Sequence, residues 1–412
     1  MKITLAGTGC GSIGSMTLEV LNAISKADLL IGAPRLLESI PADYTAERQP
    51  AIAAKDILDA IQAKASSEPD ASICVLYSGD SGFYSGTRSL MPLLEEAGLR
   101  AHVLPGISSI QAFASKLQEP WQDWLLVSAH GKDCDAVTAV MQGKPVFFLT
   151  GGDLGPGELC KQLCDAGLGS LEVIIGERLS YEDERIVSGP ASEFAWSGFD
   201  SLAVMLARPA DCAGDMTPGI ADSEFVRGNV PMTKRDVRAA ILAHMQIQPE
   251  DILWDVGAGT GSVSIEMAMK ASRGRVYALE RNHEGFELMS KNRRNFGVWN
   301  LTLLEGSAPD DLIELPAPDK VFIGGSGGRL RKIIQLVLEK NPQALICVTA
   351  IVLETLHDAV DEMTAAGMDV EIVQIASSTA RTIGSKHMMM ASNPIYIITG
   401  QRPQDAPPED KE

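Results

Sequence analysis

At 412 residues the chain is longer than one hydrophobic core usually spans, so two or more domains are expected. Its 45% apolar and 22% charged residues are those of an ordinary globular protein, while a net charge of -19 argues against the basic surface that nucleic acid or an anionic membrane needs. An anionic ligand would have to meet locally placed arginine or lysine.

In chain order, short apolar runs alternate with helix-like stretches, the pattern of parallel sheets flanked by helices. The first strands expected are 3–6 (ITLA), 28–32 (DLLIG), 73–79 (ICVLYSG), 101–106 (AHVLPG) and 124–130 (WLLVSAH). A second group, 146–150, 171–179, 184–189 and 201–208, has more direct strand-to-strand connection and implies a second lobe. Residues 1–208 thus read as one bilobal α/β domain, with lobes of about 1–130 and 131–208. The stretch 209–230 is polar, rich in Gly, Asp and Pro, and without period, and reads as a linker. A cleaner α/β series fills 231–402: a helix from about 233, then strands 252–257, 275–280, 301–306, 320–325, 344–350, 369–376 and 394–400. The last two have no crossover helix between them and are expected as an antiparallel hairpin at one sheet edge. The proline-rich polar tail 403–412 is expected to be disordered.

Seven cysteines without a CxxC pair fit free thiols in a reducing cytoplasm. Cys160 and Cys164 lie one helical turn apart, but with no histidine nearby they read as core packing rather than metal ligands. The amino-terminal MKITLAGTGC has too short an apolar run for a signal peptide, and no run of 18 apolar residues occurs. The expectation is a cytoplasmic protein without a membrane span.

Two glycine-rich turns follow strands. The first, AGTGCGSIG at 6–14, contains G-x-G-x-x-G at Gly9, Gly11 and Gly14, which raises a nicotinamide site. The next strand ends without an acid, in Gly-Ala-Pro-Arg, and Arg35 suits only a phosphorylated ribose, so an NADPH-binding oxidoreductase is the alternative for this half. The second, DVGAGTG at 255–261, is G-x-G-x-G and need not hold a pyrophosphate. Glycines there let a backbone touch a ligand, and the strand 275–280 ends in Glu280, an acid placed to accept both hydroxyls of a ribose.

DVGAGTG with an acid ending the next strand resembles the Rossmann-like (class I) S-adenosylmethionine-dependent methyltransferases. The stretches SEFVRGNVPMTKRDVR (223–238), FIGGSGG (322–328), VTAIVLET (348–355) and MMMASNPI (388–395) narrow this to the decarboxylating cobalt-precorrin methyltransferases of corrin biosynthesis. The resemblance maps cofactor contacts to Thr233 and to Gly257, Ala258, Gly259, Thr260 and Gly261. Where that family often has an acid, this chain has Ser307, leaving the backbone of Ala308 for the adenine. In the first half, YSGDSGFYSG (77–86), LPGISSIQAFA (104–114) and LVSAHGKD (126–133) resemble the tetrapyrrole methylase family, in its C5-methylating corrin branch. That resemblance implies cofactor contacts at Gly79, Asp80, Ser81, Ser108 and Ser109. The chain has SGDSG where SGDPG is usual, and Asp80 could instead be a turn-former bonding its own backbone.

Together the resemblances cover nearly all of 1–400. They imply a bilobal tetrapyrrole methylase fold followed by a Rossmann-like fold with a mostly parallel sheet. They further imply a bifunctional C-methyltransferase acting at C5 and C15 of a reduced precorrin-6 and removing the C12 acetate carboxylate to give precorrin-8. One S-adenosylmethionine would serve each half, no metal is implied, and self-association of each half suggests a homo-oligomer. A sulfonium methyl is already activated, so no nucleophile and base pair is nominated. Arg227, Lys234, Arg329 and Arg381 are candidate clamps for substrate carboxylates, although each could be a solvated surface charge. His130 reads equally as a substrate contact or a loop hydrogen bond, His387 reads as structural, and the methionines at 388–390 read as core. A noncatalytic tetrapyrrole-binding protein is a third reading, against which the intact DVGAGTG and Glu280 weigh.

Overall fold

The structure, a computed structural model, describes residues 1–130, 134–152, 154–211 and 219–403. Its internal contacts divide into two compact units. One comprises Met1–Ala136, Lys144–Asp165 and Gly169–Pro209, and the other Val137–Gly143, Ala166–Leu168 and the chain from Ala210 onward.

The first unit contains two five-stranded sheets. In one, strands β1 (Lys2–Gly7), β2 (Leu29–Gly32), β3 (Glu47–Pro50), β4 (Ser72–Tyr77) and β5 (Ala101–Leu104) run parallel in the order β3-β2-β4-β1-β5. Alternate residues face opposite cores: Ile3, Leu5, Ile73 and Val75 pack on one side and Ala6, Leu30, Cys74 and Leu76 on the other. Burial on both faces is why these strands read as continuous apolar runs. Strand β3, sequence ERQP, was not expected, since it lies at the edge and is largely exposed.

The other sheet has β6 (Leu125–Ser128), β7 (Val146–Leu149), β8 (Glu172–Glu177), β9 (Arg185–Pro190) and β10 (Ala203–Ala207) in the order β6-β7-β10-β8-β9. Only β6 and β7 are parallel. The sequence reading put 124–130 with the first lobe. The chain instead leaves the first sheet after the helix Ser109–Leu117, and β6 pairs with β7 at the edge of the second. Cys160 is fully buried with its Sγ 3.7 Å from Met205 Sδ, in keeping with packing, and no metal-binding cluster occurs among the described residues.

The second unit is built on one seven-stranded sheet, with β11 (Ile252–Val256), β12 (Arg275–Glu280), β13 (Leu301–Glu305), β14 (Lys320–Ile323) and β15 (Leu345–Ala350) parallel in the order β13-β12-β11-β14-β15. Winding reverses between β11 and β14, which opens a crevice at their carboxyl ends. The remaining strands are β16 (Asp369–Ile375), β17 (Ser378–Ile383), β18 (Lys386–Ala391) and β19 (Ile395–Gln401). β19 lies between β15 and β16, antiparallel to both. The expected hairpin of 369–376 with 394–400 is therefore an antiparallel pair but not a tight one, because the ribbon β17–β18 is inserted between its strands.

Every residue of that ribbon is exposed, Met388, Met389 and Met390 by 45%, 63% and 43%. The methionines are thus not core, and His387 sits beside them on the same open strand. The expected linker also ends early. Residues 212–218 and the tail from 404 lie outside the described residues, but Ile220 and Phe225 are buried in the core of the second unit, so 219–230 is part of that unit. Among the described residues no helix is long and apolar enough to cross a membrane.

Candidate functional site

In the second unit the crevice is a cavity of about 860 Å³ at the carboxyl ends of β11, β12, β14 and β15. Gly257, just after β11, shows why glycine is required: its φ is 77°, and a Cβ there would stand 2.8 Å from the backbone N of Gly325 in the loop after β14. The two loops can approach only without a side chain between them. Gly257, Ala258 and Gly259 line the cavity. Thr260 is buried and turned away, its carbonyl taken by Asn292 at 3.0 Å, and Gly261 packs on Met289. Of the five loop residues named from sequence, three face the site.

Glu280 lines the cavity from the tip of β12. Its two oxygens accept hydrogen bonds from Gly259 N (2.8 Å) and Asn282 N (2.7 Å), which fix the carboxylate beneath the glycine loop. Each oxygen retains a lone pair for a ligand hydroxyl. Behind the loop, Asp255 is fully buried and bonded to Ser264 Oγ on the helix Ser262–Lys270. Burial pushes its carboxyl up to about 7; the Ser264 hydroxyl opposes that rise, and the charge of Glu280 adds to it.

The opposite wall is irregular backbone, Val230–Lys234, including Thr233 and Lys234 as the sequence indicated. Irregular backbone needs partners outside itself. The fully buried Arg238 supplies them to the longer stretch 219–234 that carries this wall, near its start and near its end: it bonds Glu266 (2.9 Å), Asp222 (2.9 Å), the Thr233 carbonyl (2.6 Å) and the Ile220 carbonyl. Glu266 in turn accepts from Gly219 N and Ile220 N at 2.7 and 3.2 Å. Asn292 holds the middle through Val226 N and O (2.7 and 3.0 Å) and reaches Thr260 in the glycine loop. Three buried polar side chains therefore set the wall over the loop.

Ser307, Ala308 and Arg329 also line the cavity, with Arg329 Nη1 donating to Asp310 at 2.8 Å. Lys234 Nζ is 3.8 Å from Asp222. Arg227 does not line the cavity, nor does Arg381, which lies on the exposed β17. Sequence reasoning did not name Arg281 and Asn282 next to Glu280, the Gly324–Gly328 turn as a lining element, or Ile351 and Val352 at the rim. The last two groups fall inside stretches that carried the resemblance, so the signal was present without a residue-level assignment.

In the first unit a smaller cleft of about 260 Å³ lies between its two sheets. Gly79, Ser109 and His130 line it, while Gly131–Asp133 fall outside the described residues. Asp80, Ser81 and Ser108 do not line it and tie loops together. Asp80 accepts from Gly82 N inside its own turn and from Gly106 N across to the next loop, both at 2.9 Å. Ser81 Oγ donates to Leu104 O at 3.0 Å, and Ser108 N donates to Gln111 Oε1 at 2.9 Å at the start of the helix Ser109–Leu117. Cys10 lines the cleft, but burial pushes its thiol up to about 11 and keeps it a neutral, poor nucleophile. Arg35 also lines the cleft, as do Tyr84, Arg178 and Tyr181, which were not foreseen; two of these three come from the sheet that sequence could not register against the first.

Comparison with known proteins covers both units. Residues 2–195 match the family model described as tetrapyrrole (corrin/porphyrin) methylases, and residues 224–402 match the precorrin methyltransferase domain. A precorrin-6Y C(5,15)-methyltransferase [decarboxylating] from Sinorhizobium sp is 30% identical over 331 residues, 79% of this chain and 78% of that one. A probable cobalt-precorrin-6B C(15)-methyltransferase (decarboxylating) from Pyrobaculum calidifontis is 40% identical over 186 residues, 44% of this chain and 95% of the relative. Among solved structures, one titled precorrin-6y C5,15-methyltransferase from Geobacter metallireducens is 38% identical, covers 45% of this chain and 97% of its own, and superposes with a TM-score of 0.43.

Proposed function

Since the chain belongs to the precorrin-6Y C5,15-methyltransferase (decarboxylating) family, and so is an S-adenosylmethionine-dependent methyltransferase of cobalamin biosynthesis, we propose that each unit holds one methyl donor and performs one of the two methylations. The amino-terminal unit methylates C5. The carboxy-terminal unit methylates C15 and releases the C12 acetate carboxylate as carbon dioxide, giving a precorrin-8 product. The nicotinamide alternative for the amino-terminal half is not supported, because the strand β2 ends without an acid and residues 2–195 match methylases.

The observation that carries this reading is the carboxy-terminal cavity, where the glycine-rich loop Gly257–Gly259 faces a fixed carboxylate. Its donor set suits a nucleoside with a cationic tail: Glu280 for the ribose hydroxyls, the backbone of Ala308 for the base, and Thr233 with Gly257–Gly259 for the remainder. The donor brings a methyl group already activated on sulfonium. The chain's residues have to orient it, hold the ring carbon in line and exclude water, and orientation of this kind is worth roughly 7–11 kcal/mol. Lys234 and Arg329 on the cavity wall suit substrate carboxylates. In the amino-terminal cleft Gly79 and Ser109 are the residues in reach of a donor, with Asp80, Ser81 and Ser108 shaping the loops that present them. The family resemblance further suggests a cytoplasmic homo-oligomer.

Mass spectrometry of the product, after incubating the whole chain with reduced precorrin-6 and S-adenosylmethionine, tests the reaction. Two added methyl groups and one lost carbon dioxide are expected. Equilibrium dialysis with labelled donor should give two bound per chain; saturation at one would overturn the assignment of a donor to each unit.

A further inference from the structure

Five non-glycine residues among those described have a positive φ: Tyr84, Gln118, Arg178, Ser180 and Gln246. Gln118 and Gln246 cap the carboxyl ends of helices, where the left-handed conformation is ordinary. The other three collect at the amino-terminal cleft. Tyr84 and Arg178 line it, and Ser180 lies between the lining residues Leu179 and Tyr181. Such conformations persist only where the surroundings over-determine them, and they concentrate at ligand sites.

The turn Arg178–Tyr181, just beyond β8, is over-determined in this sense. Arg178 N donates to Leu202 O at 2.9 Å, Ser180 N to Glu184 Oε2 at 2.7 Å, and Tyr181 N to Arg178 O at 3.0 Å. Lys116 holds Glu184 from the helix Ser109–Leu117 at 2.7 Å. The product of this bracing is the position of one phenol. The Arg178 guanidinium lies over the Tyr181 ring, 4.9 Å from its centroid, and is itself held by Asp183 at 2.7 Å. The ring packs so closely on Gly11 that a Cβ there would sit 2.3 Å from it. Its hydroxyl accepts a hydrogen bond from Arg35 Nη1 at 3.2 Å.

Arg35 follows β2, so the contact spans the cleft from the first sheet's loops to the second's. It is exposed, and among the described residues no carboxylate pairs with it. In a chain with 54 acidic residues against 35 basic ones, an arginine that lines a cleft and is steered by a phenol rather than neutralised by an acid is a distinctive arrangement. With Nη1 bonded to Tyr181, the Nε and Nη2 edge of the guanidinium still offers two parallel N–H donors to one carboxylate.

We propose that Arg35 is the carboxylate-binding residue of the amino-terminal unit, gripping an acetate or propionate side chain of the tetrapyrrole, and that Tyr181 on its braced turn is the positioning residue that aims it. This rests on the assignment of C5 methylation to this unit. It gives Arg35 a role other than the ribose phosphate contact that its place after β2 first suggested. Tyr84, which is 52% exposed, offers an aromatic face to the ring at the same cleft.

The test uses the whole chain, with the carboxy-terminal reaction as an internal control. Methyl transfer without carbon dioxide loss reports the amino-terminal unit, and carbon dioxide loss reports the other. Arg35→Gln should raise the KM for the tetrapyrrole in the first reaction about tenfold or more, the effect of losing a bidentate charged contact. Its KM for S-adenosylmethionine and its carbon dioxide release should stay as in the wild type. Arg35→Lys should recover part of the loss, and Tyr181→Phe, which keeps the charge and loses the aim, should give a smaller rise in the same KM. An unchanged tetrapyrrole KM in Arg35→Gln, or an equal rise in the donor KM, would overturn the proposal. A wild-type product lacking the methyl added without carbon dioxide loss would overturn the functional reading of this unit, and the anchor with it.

Discussion

The loop after β4 in the first unit and the strand β12 in the second each carry an acid next to a glycine turn, and the two acids do opposite things. Glu280 stands at the tip of β12 with its carboxylate facing a cavity, braced by two backbone N–H groups so that it presents lone pairs to a ligand. Asp80 spends both oxygens on Gly82 N and Gly106 N and stays out of its cleft. One acid recognises and the other builds the surface that recognises. The first can be read from a strand, a loop and a spacing, since all its parts lie within one β-α-β stretch. The second depends on a partner loop 26 residues away, and its cleft is lined by groups from two different sheets.

The sharpest break in this comparison is Gly257→Ala. The added Cβ meets the Gly325 backbone and φ is 77°, so the loop after β11 or the loop after β14 has to move. A misplacement near 1 Å costs on the order of a hundredfold in rate. Carbon dioxide release should fall by about that factor while the C5 methyl is still added, which product masses would reveal; equal loss of both would mean that the halves are not independent. Next is Asn292→Leu, which nearly keeps volume but strands Val226 N, Val226 O and the Thr260 carbonyl. Unmade buried hydrogen bonds cost roughly 1–3 kcal/mol each. The variant should melt earlier and show a raised KM for S-adenosylmethionine in the carbon dioxide-releasing step, since the wall that includes Thr233 loses its tie to the glycine loop. An unchanged KM would make Asn292 a stability residue only. Asp80→Asn should do less: one backbone donor keeps an oxygen and the other meets an amide. A severalfold slowing confined to C5 methylation is expected, with carbon dioxide release untouched.

Sequence reading placed the sheets well where strands are buried on both faces, because such strands are apolar throughout and short. It missed β3, whose ERQP carries no apolar signal at an exposed edge, and gave 124–130 to the first sheet, because nothing local tells a strand which sheet it will join. It took 219–230 for linker because Gly, Asp and Pro there look like loop chemistry. The ordering agent is Arg238, up to 18 residues on and acting through backbone groups, which no periodicity records. The methionines 388–390 read as core because their composition is apolar, yet the strand that carries them is exposed. At the site, Glu280 was legible from its place at a strand tip after a glycine turn, whereas Thr233 came from the family resemblance and Lys234 from its place beside a motif. Facing was not: Thr260 and Gly261 belong to the motif and turn away from the cavity.

The smallest effect on turnover is expected behind the glycine loop, where Asp255 lines no cavity but is the deepest carboxyl of the site. Its pKa is raised to about 7, against about 4 in an unfolded chain. Between those values the unfolded state has released a proton that the folded state keeps, so the unfolded state binds fewer protons and stability falls as pH rises. The slope is about 1.4 kcal/mol per pH unit inside that window and vanishes below it, where both states are protonated, and above it, where both are ionised. The sign is opposite to that of a carboxylate held in an ion pair, because burial dominates here and the Ser264 hydroxyl offsets only part of it. Asp255→Asn removes the titration while leaving a group able to accept from Ser264. Denaturant unfolding of the wild type and this variant from pH 4 to pH 8 should therefore converge at the acid end and separate towards neutrality, with the variant the more stable at pH 7. Parallel curves would mean that Asp255 ionises freely in the folded protein, and that a water or a second donor reaches the carboxylate oxygen that has no partner among the described residues.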